Sequence, residues 1–172
     1  MLVSSREIHR GRVVHLFEDT VTLPNGHTTT LDMIRHPGAA AVVPFLDDAT
    51  ILLVRQFRHA AGGFLLEVPA GKLDRGEAPE HCAARETEEE IGYRAGRLVR
   101  LGAILTTPGF TDEIIHLYTA HQLVPTAARL GPDEVLSVVR MEFAAAVAMI
   151  ERGEIIDSKS ICALLMAAQK RG

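Results

Sequence analysis

The sequence predicts an α+β protein: a mixed sheet between helices, an α/β/α sandwich, preceded by a small antiparallel β subdomain. Three observations predict it. Segments 39–45 and 51–57 are β-prone and nearly continuous in apolar residues, as strands are when both faces of their sheet are covered. Segments 79–91, 143–152 and 158–170 read as helices bounded by proline, glycine or capping residues. Residues 6–35 are a run of short β-prone stretches and turns, too small to bury a core of their own.

The elements follow in order. Val21-Thr22-Leu23 leads into the turn Pro24-Asn25-Gly26-His27, and residues 28–34 resume β-prone character. Asn-Gly suits a hairpin because both central positions tolerate positive φ. His36-Pro37-Gly38 then breaks the chain, which divides it into an N-terminal β subdomain, 1–36, and a main domain, 37–172. Strands 39–45 and 51–57 flank the polar turn Asp47-Asp48, and 64–68 is a third, shorter strand. Helix 79–91 has Pro79 in its first turn and Gly92 at its end. Strands are expected at 98–105, 114–119 and 135–141. Helix 143–152 closes at Gly153, and helix 158–170 takes Asp157 or Ser158 as its N-cap.

Composition narrows the function. The chain has 172 residues, 47% hydrophobic and 23% charged, which is ordinary for a globular domain. The formal net charge is −4, so no basic surplus favours nucleic acid. No apolar run approaches the ~20 residues of a membrane span, and residues 1–10 do not read as a secretory signal; cytoplasm is the expected compartment. Cys82 and Cys162 are too few for a disulfide framework and read as small buried groups. His9, His15 and His27 read as surface residues.

One segment breaks local rules. Residues 86–90 read Glu-Thr-Glu-Glu-Glu. At 100° per residue, Glu86, Glu89 and Glu90 share one helix face, with Ala84, Thr87 and Ile91 opposite, toward the core. Like charges at these spacings destabilise a helix by ~0.2–0.5 kcal/mol per pair. They also stand in the final turns, where the helix dipole disfavours anions. A solvated acidic face is one reading. A divalent cation held by hard oxygen ligands, Mg²⁺ or Mn²⁺, is the other.

The spacing around the cluster favours the second. Five residues separate Gly71 from Glu77 and seven separate Glu77 from Arg85-Glu86; Glu89-Glu90 and Gly92 follow. This segment, Gly71 to Tyr93, resembles the Nudix box of the Nudix hydrolases, a strand–loop–helix element that binds divalent metal and cleaves diphosphates. Thr87 stands where a bulkier aliphatic is usual, and Tyr93 closes the box. The resemblance implies a Nudix fold with Glu86, Glu90 and then Glu89 as metal ligands, together with the carbonyl of Ala70. It implies that Glu77 pairs with Arg85 to fix the loop on the helix. Gly71 is expected to permit a sharp backbone turn.

Flanking residues resemble the ADP-ribose pyrophosphatase branch: Arg55-Gln56-Phe57-Arg58 and Glu67-Val68-Pro69-Ala70 before the box, Thr107-Pro108-Gly109-Phe110-Thr111-Asp112-Glu113 after it, and the tail Gly153 to Ser160. The branch implies hydrolysis of ADP-ribose to AMP and ribose 5-phosphate. Expected substrate contacts are Phe17, Arg55, Arg58, Glu67, Gly109 and Glu113. The general base is expected on a loop after the box, at Glu134, with Asp133, Glu113 or a box glutamate as alternatives. A homodimer is implied, its N-terminal sheet helping to build the base pocket. Two other readings remain. One is a Nudix hydrolase of another nucleoside diphosphate sugar, dinucleoside polyphosphate or dinucleotide. The other is a sensor that binds ADP-ribose without cleaving it.

Overall fold

A computed structural model describes residues 1–171 of the chain; Gly172, the expected end of the main domain, lies outside them. The first three strands, β1 (Leu2–Arg10), β2 (His15–Thr22) and β3 (Thr28–Arg35), form an antiparallel sheet in that order. The β2–β3 register pairs Thr22 with Thr28 and brackets the Asn-Gly turn. This sheet has no apolar core: Asp19 is its one buried residue, and all nine residues of β1 are exposed.

Next come β4 (Ala39–Pro44), β5 (Thr50–Arg58), a single 3₁₀ turn, β6 (Gly63–Glu67), β7 (Ala70–Lys72) and helix α1 (Pro79–Ile91). The long hairpin β8 (Tyr93–Leu105) and β9 (Ile114–Pro125) follows, then β10 (Leu136–Glu142), α2 (Phe143–Glu151) and α3 (Ser158–Arg171). Where the sequence predicts one mixed sheet, the strands divide into two. One is antiparallel, β10-β5-β6; the other is mixed, β7-β4-β9-β8, with β4 and β9 parallel.

The mixed sheet is covered on both faces. Ala40 and Val42 of β4 point toward Cys82 and Ala83 of α1. Ala41 and Val43 point the other way, toward Ala163, Leu164 and Ala167 of α3. This is the two-sided burial that the unbroken apolar run of β4 implies. Small residues on β4 let both helices approach closely. Burying apolar surface at ~25 cal/mol per Å² then supplies the main stabilisation.

Several boundaries differ from the sequence reading. β8 starts at Tyr93 and β9 runs to Pro125 because the two strands pair along almost their whole length, which extends strand structure over polar residues that carry no periodic signal. β7 has three residues and is defined by its pairing with β4. Asp157 caps α3, accepting the Ser160 N–H at 3.0 Å and the Ser160 hydroxyl at 2.5 Å. Cys82 is buried, as expected of a small apolar group, whereas Cys162 is half-buried. Ala84, expected toward the core, is half-buried; the buried residues of α1 are Cys82, Ala83, Glu86, Thr87, Glu90 and Ile91.

Candidate active site

Two box glutamates are therefore inside the protein. Glu90 is 3% and Glu86 8% exposed. Between α1 and β7 the packing is tight: a Cβ added to Gly71 would stand 1.9 Å from Glu86 Oε1. Gly71 lies in a strand and is absent from the positive-φ glycines. Its requirement is thus the space that the Glu86 carboxylate occupies, not the sharp turn anticipated from the sequence. Beside it, the Ala70 N–H donates to Glu90 Oε2 at 3.1 Å.

Arg85 organises the rest of the helix face. Its guanidinium donates to both Glu77 oxygens at 2.9 Å, to Glu86 Oε1 at 2.6 Å, to Glu89 Oε2 at 3.1 Å and to the Lys72 carbonyl at 3.0 Å. Glu77 also accepts the Asp74 N–H at 2.9 Å. The Arg85 hydrogen bonds hold the Glu77 carboxyl down at about 2. The buried pair behaves oppositely. Burial raises Glu86 above the ordinary carboxylate range. Burial, then the charge of Glu86, pushes Glu90 up to about 8.

These residues floor a cavity of about 740 Å³. Ala70, Gly71, Glu86 and Glu90 line one side, and Glu134 comes in from the loop before β10. Its charge acts on both Glu86 and Glu90. Arg58 and Lys159 line the cavity as well. Glu67, 1% exposed, sits behind these cations. It accepts a two-pronged bond from Arg58 (2.8 and 2.7 Å) and one from Lys159 (2.5 Å). Asp157 also pairs with Lys159 at 3.0 Å. Arg58 spends Nε and Nη2 on Glu67, which leaves Nη1 for a ligand. The cavity is thus lined both by buried carboxylates and by cations.

The donor set fits a divalent cation. Among the described residues, no three acidic, thiol or imidazole groups already stand together as a metal cage. Mg²⁺, however, is usually held by one or two carboxylates, with water and substrate phosphate oxygens completing its shell. Glu86 and Glu90 are two such carboxylates, buried and mutually repelling. Cation binding would offset the cost of keeping both ionised.

A model of the NUDIX domain matches residues 35–164. An ADP-ribose pyrophosphatase of Bacillus subtilis (strain 168) is 38% identical over 164 residues, covering 94% of this chain and 89% of that protein. A methanol dehydrogenase activator of Bacillus methanolicus is 41% identical over the same length, with the same coverage. A solved structure of an ADP compounds hydrolase shares the fold at a TM-score of 0.87, with 22% identity, covering 99% of this chain and 92% of that one.

The chain belongs to the Nudix family.

It is a Nudix pyrophosphohydrolase, and the box occupies the positions just described. Gly92 caps α1 at φ +70°, donating its N–H to the Glu88 carbonyl. Thr87 is fully buried and turns its hydroxyl back onto the Ala83 carbonyl at 2.7 Å. It satisfies a polar atom where the box usually carries a larger aliphatic.

Of the residues nominated from sequence, Ala70, Gly71, Arg58, Arg85, Glu86, Glu90, Glu113 and Glu134 reach the cavity; the others stand elsewhere. Glu89 is half-buried beside Arg85 and does not line it. Glu67 is beneath the cations rather than in the open space. Arg55 is exposed and lies over the Phe64 ring at 4.0 Å. Strand alternation puts it on the opposite face of β5 from Gln56, which does line the cavity. Phe17 lies under Arg35 in the N-terminal sheet. Gly109 is exposed in the β8–β9 loop. Asp133 is tied to Arg12 at 2.9 Å on the surface.

The sequence reading missed Lys159. A signal was present: a lysine in the first turn of α3 opposes the helix dipole. Val13 was also missed. It is the single residue of the N-terminal segment that lines the cavity, and no pattern marks it.

Two predictions follow from the packing. Gly71→Ala displaces the Glu86 carboxylate and should lower kcat on the order of 100-fold with little change in thermal unfolding; kcat within about twofold of the parent would mean that Glu86 moves aside freely. The second concerns pH. Burial raises the Glu67 pKa, but Arg58 and Lys159 outweigh it, and the net value lies below the ordinary one. A depressed folded-state pKa gives stability that is complete above the unfolded value of ~4.3 and is lost as pH falls through the folded value. Glu67→Gln should therefore cost about 3 kcal/mol near neutral pH. In urea unfolding the gap to the parent should narrow steadily in acid; a gap independent of pH would refute the ion-cluster account.

Proposed function

We propose that this enzyme hydrolyses ADP-ribose to AMP and ribose 5-phosphate, with Mg²⁺ or Mn²⁺ as its metal. The carrying observation is the mixed lining of one cavity: buried Glu86 and Glu90 share with Arg58 and Lys159 a space suited to a nucleoside diphosphate. The name of the Bacillus subtilis relative, an ADP-ribose pyrophosphatase, supports the choice of substrate. Two unpaired cysteines are compatible with a reducing compartment, the cytoplasm.

Glu86 and Glu90, with the carbonyl of Ala70, would hold the metal, which when bound neutralises diphosphate charge and polarises phosphoryl oxygens. Arg85 keeps Glu86 in place against Gly71. Arg58 and Lys159, braced from behind by Glu67, bind phosphate oxygens with charge-assisted hydrogen bonds. Glu113 accepts the Thr106 hydroxyl at 2.7 Å and lies 3.5 Å from His36 Nδ1. From there it can accept hydroxyl hydrogens of the sugar. Glu134 is the general base. One of its oxygens accepts the Gly131 N–H at 2.6 Å, leaving the other to take a proton from the attacking water. Asp133 pairs with Arg12 on the surface and does not line the cavity, and Glu113 is assigned to the sugar.

The adenine end calls for a second copy of the chain. Among the described residues no aromatic ring lines the cavity. Meanwhile the coreless N-terminal sheet leaves Leu2, Val3 and Ile8 at 54%, 58% and 45% exposure. A homodimer that packs this sheet against its partner would bury those side chains and enclose the base.

The deciding assay incubates the protein and Mg²⁺ with ADP-ribose, other nucleoside diphosphate sugars, diadenosine polyphosphates and NADH, and resolves the products. AMP from ADP-ribose at the highest kcat/KM is expected; preference for another compound overturns the substrate. Glu134→Gln should lower kcat by about 100-fold or more while leaving metal affinity near the parent's, and near-normal turnover would remove Glu134 from the mechanism. Light scattering should give twice the chain mass at micromolar concentration, and a monomer mass would refute the dimer.

A further inference from the structure

A second cavity, of about 300 Å³, lies at the other end of α3 from the catalytic one. Ser158 and Lys159 at the start of α3 line the catalytic cavity. Lys170 and Arg171, in its last turn, line the second. At ~1.5 Å per residue, fourteen residues set the two about 20 Å apart. The floor of the second cavity is on β8 and β9 of the mixed sheet. There Thr119 and His121 of β9 stand opposite Val99 and Arg97 of β8.

The second cavity is cationic in an acidic protein. Arg97, Lys170 and Arg171 surround it. None of them belongs to an ion pair among the described residues. Basic residues at a helix C-terminus ordinarily serve that helix's own last carbonyls. Here they reach elsewhere: Lys170 Nζ donates to the Arg100 carbonyl of β8 at 2.8 Å, and Arg171 to the Asp48 carbonyl. Both therefore line the cavity rather than cap their own helix. Arg171 also lies 4.4 Å above the Phe45 ring, which stacks on His121 at 5.2 Å with the rings 5° from parallel. The Thr119 hydroxyl and His121 Nε2 are hydrogen-bonded at 2.9 Å. Burial first, then the positive charges of Arg97 and Arg171, hold His121 below its ordinary pKa against the opposing charge of Asp48. Leu101 and Ala167 supply an apolar wall.

We propose that this cavity is a second ligand site, separate from the catalytic one, that binds a small phosphate monoester. Arg97, Lys170 and Arg171 take the phosphate oxygens, and the half-buried His121 ring and the apolar wall receive the organic part. Three cations around one opening fit a dianion. The volume fits a body of sugar or single-ring size, too small for an extended polymer. Charge-assisted hydrogen bonds from arginine are the strongest that such a group finds on a protein.

The test titrates ¹⁵N-labelled protein, in buffer with a chelator, with inorganic phosphate and separately with ribose 5-phosphate. The readout is the amide signals of Arg97, Val99 and His121, with those of Ser158 and Lys159 reporting the catalytic cavity independently. Saturable shifts at the distal amides are expected, with the ester binding more tightly than inorganic phosphate. In the Arg97→Gln/Lys170→Gln variant, distal affinity should drop about tenfold or more, while shifts at Lys159 and hydrolysis of the catalytic substrate stay at the parent's level. If phosphate and ester bind equally, the organic subsite is wrong. No saturable distal shift, or an unchanged distal affinity in the variant, overturns the site. The titration of the unaltered protein decides the point even if the double variant fails to fold.

Discussion

The guanidinium of Arg85 is the interaction on which the site depends. It joins the loop after β7 to α1 through Glu77 and the Lys72 carbonyl, and on the same helix it touches Glu86 and Glu89. Glu86 and Glu89 would otherwise repel each other in the last turns of the helix, where the dipole adds to the cost, with Glu77 adding a third negative charge from the loop. Arg85 converts that repulsion into a fixed geometry. It does not reach Glu90, whose one hydrogen bond is the Ala70 N–H. The carboxylates thus divide into those that hold structure and a buried pair kept available. Burial and then the charge of Glu86 raise the Glu90 pKa, and a divalent cation would offset both.

The same division of labour recurs at the cations Arg58 and Lys159. Arg58 and Lys159 come from elements distant in sequence, β5 and α3, and Glu67 holds both from beneath. A buried charge pair contributes little net stability against an apolar replacement. What it supplies here is direction, because two long side chains lose their rotamer freedom before a ligand arrives. The sheet makes this possible. Parallel pairing of β4 with β9 and antiparallel pairing of β4 with β7 bring Ala39, Ala70, Gly71 and Ile115 to one end of the sheet, and the start of α3 closes over them.

How much of this was readable in the sequence depended on how local the signal was. The box was legible because its chemistry is written within one helix and one loop, at spacings that helix geometry imposes. Pro79, Gly92 and Asp157 marked helix ends for the same reason. Strand β7 was not legible, since three residues become a strand only through their partner. Glu67 was nominated as a ligand contact because it stands beside the box in sequence, but its side chain points under the cations. Arg55 and Arg58 looked equivalent from sequence; the period of two along β5 sends them to opposite faces. Gly71 was expected to serve a turn, and what it provides is room for Glu86, an atom fifteen residues further along. Such long-range contacts leave no periodic trace.

The N-terminal sheet is the part whose stability is least self-contained, and its attachments explain why it belongs to the site. Its links to the main domain fall on two loops that flank the cavity. Ile34 exchanges backbone hydrogen bonds with Phe110 and Asp112, in the loop that leads to Glu113. Arg12 pairs with Asp133, next to Glu134. Val13 enters the cavity itself. A sheet without a buried apolar residue cannot hold these loops rigidly unless something covers its exposed face. Covering that face would therefore also steady the loops that carry Glu113 and Glu134, so a second copy seated there, as proposed, would act on the cavity through the backbone rather than through a side chain of its own.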